Sequence, residues 1–159
     1  MERLWSPWRM EYILGAREGA GECLFCELLP KDDTEAMILK RGEHAFVVMN
    51  LYPYNPGHLM VAPARHVGRL DDLSRDELLS MGLLMQDGAR AVEEEMNPDG
   101  FNLGMNVGRV AGAGVLGHLH WHVVPRWNGD SNFMSVTGAT RTLPELVEDT
   151  YKKLKPRFE

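Results

Sequence analysis

His118, His120 and His122 stand at every second position of the stretch GHLHWHVVPRW, residues 117–127. Half of the chain's 6 histidines therefore fall within five residues. Successive side chains of a β-strand point to opposite faces. A strand here puts the three imidazoles on one face and Leu119, Trp121 and Val123 on the other, where they can enter a core. Three uses fit such a row. It can be a solvent-facing strand surface that happens to carry histidines. It can bind a metal through three imidazoles, as in zinc hydrolases. Or one imidazole can act as a nucleophile, oriented and supported by its neighbours, because the free base of histidine is well populated near neutral pH. The segment just upstream favours the nucleophile. GRVAGAGVLG, residues 108–117, contains four glycines, which let the backbone approach a ligand and aim N–H groups at phosphate oxygens.

The chain's 2 cysteines form a second cluster, Cys23-Leu24-Phe25-Cys26. Cys-x-x-Cys suits a redox pair, although no strand-then-helix setting surrounds this one. It equally suits two buried thiols, or half of a tetrahedral zinc site that needs two more ligands. The pair is too close and too small in number to staple a secreted fold.

These residues need elements to position them. Residues 1–35 read as irregular. Strands are expected at AMILK (36–40), at HAFVVMN (44–50) and at HLMVAPA (58–64), the last two joined as a hairpin by the Pro- and Gly-bearing turn LYPYNPG. Ser74 and Glu77 make a capping box. Leu78, Met81, Met85, Gly88, Val92 and Met96 then recur at helical spacing, and Asn97-Pro98-Asp99-Gly100 ends the helix. FNLGMNV (101–107) and HLHWHVV (118–124) are further strands. Thr142 and Glu145 form a second capping box before the short terminal helix LVEDTYKKL. This order implies an α+β fold with a mainly antiparallel sheet and helices packed on it.

At 159 residues the chain is expected to form one domain, 1–159, with 44% hydrophobic residues to build a core. No apolar run is long enough for a membrane span, and the N-terminal MERLWSPWRMEYI has no signal-like apolar region. A cytoplasmic protein is expected. The net charge of -6 argues against a nucleic-acid partner but permits a small anionic ligand at one local site.

HLHWHVV fits the pattern His-φ-His-φ-His-φ-φ, and the chain resembles the histidine triad (HIT) family of nucleotide hydrolases and transferases. Residues 50–66, NLYPYNPGHLMVAPARH, resemble that family's upstream segment. RLWSPWRMEYI, the NxGxxxG of 102–108 and HVVPRWNGDSNFM are similar to the bacterial diadenosine tetraphosphate phosphorylase-like subgroup. The resemblance implies a five-stranded antiparallel sheet per protomer with a long helix and a C-terminal helix. It also implies pairing of two protomers through the helix and a strand into a ten-stranded sheet.

The resemblance assigns roles residue by residue. His120 attacks the α-phosphate and carries a nucleotidyl group, and His122 contacts the phosphates. Asn106, Ala113 and Gly114 match phosphate-contacting positions, although some relatives carry Ser or Gln where this chain has Gly114. Asn50 matches a ribose-binding asparagine, and His58 a histidine lining the nucleotide pocket. Arg126 and Trp127 directly follow the triad, where they could meet a distal phosphate and wall the substrate channel. Zinc-bearing relatives complete a Cys-x-x-Cys site with histidines at the positions of His66 and His118. That implies a structural zinc on Cys23, Cys26, His66 and His118, and no organic cofactor. The implied activity is cleavage of diadenosine tetraphosphate, by phosphate to ADP and ATP or by water to AMP and ATP. A phosphoramidate hydrolase and a non-catalytic nucleotide-binding scaffold are the alternatives.

Overall fold

The computed structural model describes residues 23–130 and 145–159. Two short helices come first, α1 at Leu24–Leu28 and α2 at Asp33–Ala36. They lie in the stretch read from sequence as irregular, and they are too short to carry a helical hydrophobic period. Asp32 caps α2 by accepting the Thr34 N–H at 2.9 Å, and Met37, left-handed at φ 55°, turns the chain into β1. That turn explains why β1 is Ile38–Arg41 rather than the expected 36–40.

Strands β2 (Ala45–Met49) and β3 (Leu59–Pro63) form the expected hairpin around the 50–58 turn. Gly57 sits in that turn at φ 77°, where a Cβ would come within 2.7 Å of the Met96 sulfur. Helix α3, Arg75–Met96, runs for 22 residues, and β4 follows at Gly100–Met105. Strand β5 spans Trp121–Arg126, and α4 spans Val147–Leu154. The sheet order is β1-β2-β3-β5-β4, with every neighbouring pair antiparallel. The fold is thus the α+β class expected, with one five-stranded sheet, a long helix and a C-terminal helix.

Both faces of the sheet are covered, so every residue of β2 and β3 is buried. On one face Val47, Met49, Leu59, Val61, Leu119 and Val123 pack with Met81, Leu84, Ala91 and Val92 of α3 and with Leu154 of α4. Gly88 lets α3 come close, with the Leu59 methyl 3.3 Å from where a Cβ would stand. On the other face Phe46, Val48, Met60 and Ala62 pack with Phe25 of α1. The capping box of α3 forms as expected, with Ser74 and Glu77 exchanging both hydrogen bonds. The buried stripe is rotated from the one read in the sequence: Leu78 is 44% exposed, while Leu84 and Ala91 are inside. Glu145 lies before α4, whose N-cap is Leu146 with no side-chain cap, and Thr142 lies outside the described residues.

Candidate active site and metal centre

The triad region is extended for longer than its ladder. His118 and His120 precede β5, which begins at Trp121. The Leu119 N–H donates to the Val67 carbonyl at 2.7 Å, which holds this lead-in against the segment after β3. Alternation survives: Leu119 and Val123 enter the helix-side core, and the three imidazoles take the other face.

The tautomers of His118, His120 and His58 follow from partners that can only accept or only donate, and that of His122 follows from His58. His120 is 4% exposed, and its Nδ1 lies 2.9 Å from the His118 carbonyl oxygen. Nδ1 therefore carries the proton, and Nε2 keeps its lone pair. Burial pushes the His120 imidazolium below its ordinary range, against a smaller opposing effect of that carbonyl. At neutral pH His120 is a neutral base with a nucleophilic Nε2.

His58 is fully buried, and its Nδ1 accepts the Tyr54 N–H at 3.1 Å. Its proton then sits on Nε2 and is donated to His122 Nδ1 at 2.9 Å. His122 in turn carries its own proton on Nε2. The His120 and His122 rings stand 4.9 Å apart at 75°. One ring thus offers a lone pair and its neighbour an N–H donor. Asn50 adjoins this chain, its amide nitrogen 3.4 Å from the His58 ring nitrogens and its Oδ1 accepting the Tyr52 N–H at 2.9 Å.

Cys23, Cys26, His66 and His118 converge, with one donor atom from each within 4.8 Å of the others. His118 donates Nε2–H to the Pro63 carbonyl at 2.9 Å. That leaves its Nδ1 lone pair facing Cys23 Sγ at 3.2 Å and Cys26 Sγ at 3.7 Å, while His66 Nδ1 lies 3.3 Å from Cys26 Sγ. Bond lengths of zinc to sulfur and nitrogen put tetrahedral donor–donor edges at roughly 3.3–3.8 Å. The cluster can hold a metal ion, and the Pro63 carbonyl supplies the outer contact that metal-bound histidines usually have.

The remaining expected residues lie at different places. Asn106 borders, with His122, a trough of about 410 Å³ along β4 and β5. Ala113 and Gly114 are in the loop, and the Ala113 N–H donates to the Gly108 carbonyl at 3.3 Å, so it serves the loop's own turn. Arg126 is held by Asp130 through Nε and Nη2 and donates Nη1–H to Asn102 at 2.7 Å. The Trp127 indole N–H donates to the Asn97 carbonyl at 3.2 Å, which docks it on the end of α3.

The HIT domain family matches residues 31–129. This chain is a HIT domain protein. It is 40% identical, over 97% of its length and 83% of the relative's, to a Mycobacterium tuberculosis protein named AP-4-A phosphorylase. It is 34% identical, over 74% of its length and 82% of the relative's, to the Dictyostelium discoideum bis(5'-adenosyl)-triphosphatase. Among solved structures, a Zn-bound histidine triad family protein from Mycobacterium smegmatis superposes with a TM-score of 0.69 at 28% identity, over 86% of this chain and 93% of that one.

Three residues of this HIT site escape a reading by motif. Tyr54 stacks on His58, ring centroids 4.7 Å apart. Phe25, inside the Cys-x-x-Cys turn, lies 5.1 Å from the His118 ring and 5.0 Å from the His120 ring. Asp130 anchors Arg126 and also accepts the Asn55 amide at 2.8 Å, and the Arg126 guanidinium beside it holds its carboxyl far below the usual range. Phe25 stands between the two cysteines, and Tyr54 and Asp130 lie in segments that carry the family resemblance, but no motif gives any of the three a role.

Proposed function

We propose that this HIT protein is a nucleotidyltransferase that cleaves dinucleoside polyphosphates, with diadenosine tetraphosphate as donor and inorganic phosphate as acceptor. The observation that carries the reading is the pairing of a buried His120 Nε2 lone pair with a His122 Nε2–H donor on the same face. His120 Nε2 attacks the α-phosphorus, the bond from phosphorus to the bridging oxygen breaks, and ATP departs with its electron pair on oxygen. Phosphate then attacks the adenylyl group, the P–N bond breaks, and ADP leaves with His120 restored. His122 stabilises charge on the transferred phosphoryl group, which is where such chemistry gains most. Asn106 and Gly114 supply further phosphate contacts in this reading, and Asn50 forms the nucleoside side, with the buried His58 positioning His122. The 40% identity to the AP-4-A phosphorylase favours phosphate as the acceptor.

Incubation with diadenosine tetraphosphate, with and without phosphate, tests this. ADP and ATP appearing only with phosphate is the expected result. AMP and ATP regardless of phosphate would make the protein a hydrolase, and turnover confined to adenosine phosphoramidate would overturn the dinucleotide reading. Nucleotide bound but not turned over would make it a scaffold.

The metal in this reading is zinc, on Cys23, Cys26, His66 and His118. All four tetrahedral positions are then filled by protein, so the ion is structural. The Zn-bound neighbour supports the choice of metal. A cytoplasmic location suits it, because thiols stay reduced there. We also propose a homodimer. Leu78, Leu79 and Leu83 of α3 and Leu103 of β4 are 44–62% exposed, and a paired surface would cover them. Sedimentation at micromolar concentration should give twice the chain mass, and a monomer there would refute it.

A further inference from the structure

The trough of about 410 Å³ starts at His122 and runs along β4 and β5 to Arg126. Its shape has a simple origin in strand register. Across from His122 stands Gly104, across from Val124 stands Asn102, and across from Arg126 stands Gly100. The strand face beside the site is therefore missing a side chain at two of three positions. Neither glycine is there for its backbone. Both are paired in the β4–β5 ladder, Gly100 as its first residue, and a Cβ built on either meets no heavy atom within 4 Å. The room left at Gly104 lies beside His122, and that at Gly100 beside Arg126.

Direction and length indicate an occupant. In phosphoryl transfer the attacking and leaving atoms lie roughly in line. His120, His122, Val124 and Arg126 follow one another along one face, so the trough continues the line of the triad beyond His122. From His122 to Arg126 is four residues of strand, about 13 Å at the usual rise. A small amine leaving group does not reach that far, whereas a nucleoside polyphosphate does. The volume is also in the range of small-molecule sites. The far end offers Arg126, and three of its five N–H groups engage Asp130 and Asn102. Asp130 offsets much of the guanidinium charge while fixing its orientation. Such an end suits hydrogen bonding to a phosphate oxygen or ribose hydroxyl more than the trapping of a free anion.

We propose that the β4–β5 trough is the subsite of the departing nucleotide, kept open by Gly104 and Gly100 and ended by Arg126. This rests on the nucleotidyltransferase reading above and specifies how it would select a long leaving group. The test uses a His120→Ala background, in which turnover is blocked, and measures binding of diadenosine tetraphosphate and of AMP by calorimetry. AMP reports the part retained on the histidine, and the dinucleotide reports both parts. Gly104→Val should weaken the dinucleotide by about tenfold or more, equivalent to about 1.4 kcal/mol, with AMP affinity held within about twofold. Gly104→Ala should fall between, since the effect is set by side-chain size. Undiminished dinucleotide affinity in Gly104→Val overturns the subsite alone. Equal losses for both ligands would also overturn it, because they mean damage at His122. No dinucleotide affinity even with Gly104 intact removes the transferase reading, and the subsite with it.

Discussion

His120 and His122 carry the same side chain and opposite jobs, and what separates them is one carbonyl and one relay. The His118 carbonyl fixes His120 with its lone pair outward, while the Tyr54 N–H acting through His58 fixes His122 with its proton outward. Their replacements should therefore fail differently. His120→Ala should abolish nucleotidyl transfer, with no covalent adenylyl adduct detectable by mass spectrometry. His122→Ala should still form the adduct, with kcat lower by about 10²–10³-fold, the usual cost of losing one preorganised donor. An adduct on a residue other than 120 would reassign the nucleophile. The triad was legible in the sequence because a spacing of two is a property of strand backbone. The His120 tautomer was legible too, since a neighbouring backbone carbonyl fixes it, but those of His58, His118 and His122 were not, because they depend on partners such as Tyr54 and Pro63, the latter 55 residues from His118 in sequence. Tyr54 itself sits in a segment whose composition says only that it turns.

At the scale of elements, helix α3 shows what periodicity resolves and what it leaves open. Its start was fixed by Ser74 and Glu77, since a capping box needs only neighbours in sequence. Its buried face was displaced toward Leu84 and Ala91, because helical spacing fits several adjacent stripes and only the partner sheet chooses among them. Likewise α1 and α2 were invisible, being single turns held by β-sheet contacts rather than by a pattern of their own. Glu77 does more than cap. Arg65 grips its carboxylate through two N–H groups at 2.9 Å each, and the Ser74 N–H adds a third at 2.8 Å. These bonds, that with Arg65 first, lower its pKa from 4.5 to about 2. A depressed carboxylate pKa stabilises the fold fully above the unfolded value and loses that contribution as pH falls through the folded one. Stability from Glu77 should thus drain away between about pH 4.5 and 2. Urea midpoints at about pH 6 and about pH 3 should show a smaller acid loss in Glu77→Gln than in wild type. Equal losses would mean that other carboxylates dominate.

At the scale of the whole molecule, the Cys23, Cys26, His66 and His118 cluster gathers three separate parts of the chain. Cys23 and Cys26 flank Phe25 on α1, His66 follows β3, and His118 leads into β5. The residues between Cys26 and His118 number about as many as a long cross-linked loop, for which closing the loop contributes about 4–5 kcal/mol. That is large beside the net stability of a domain, typically 5–15 kcal/mol. Yet α1 also buries Phe25 completely against Phe46 and the sheet, so the fold should survive loss of the ion. The expected outcome is a protein purified with one zinc per chain by elemental analysis. Chelation, or His66→Ala, should lower Tm by about 8–20 °C while leaving a cooperative transition. The same treatment should lower kcat, because Phe25 packs on the His120 ring and His118 supplies the carbonyl that sets its tautomer. KM should move less, since neither contact faces the trough. His66→Cys retains a zinc ligand and should restore both metal content and Tm. A wild-type protein that binds no zinc, or a chelated one that keeps its Tm and kcat, would leave the four residues a hydrogen-bonded cluster and α1 held by the packing of Phe25, Leu28 and Leu29.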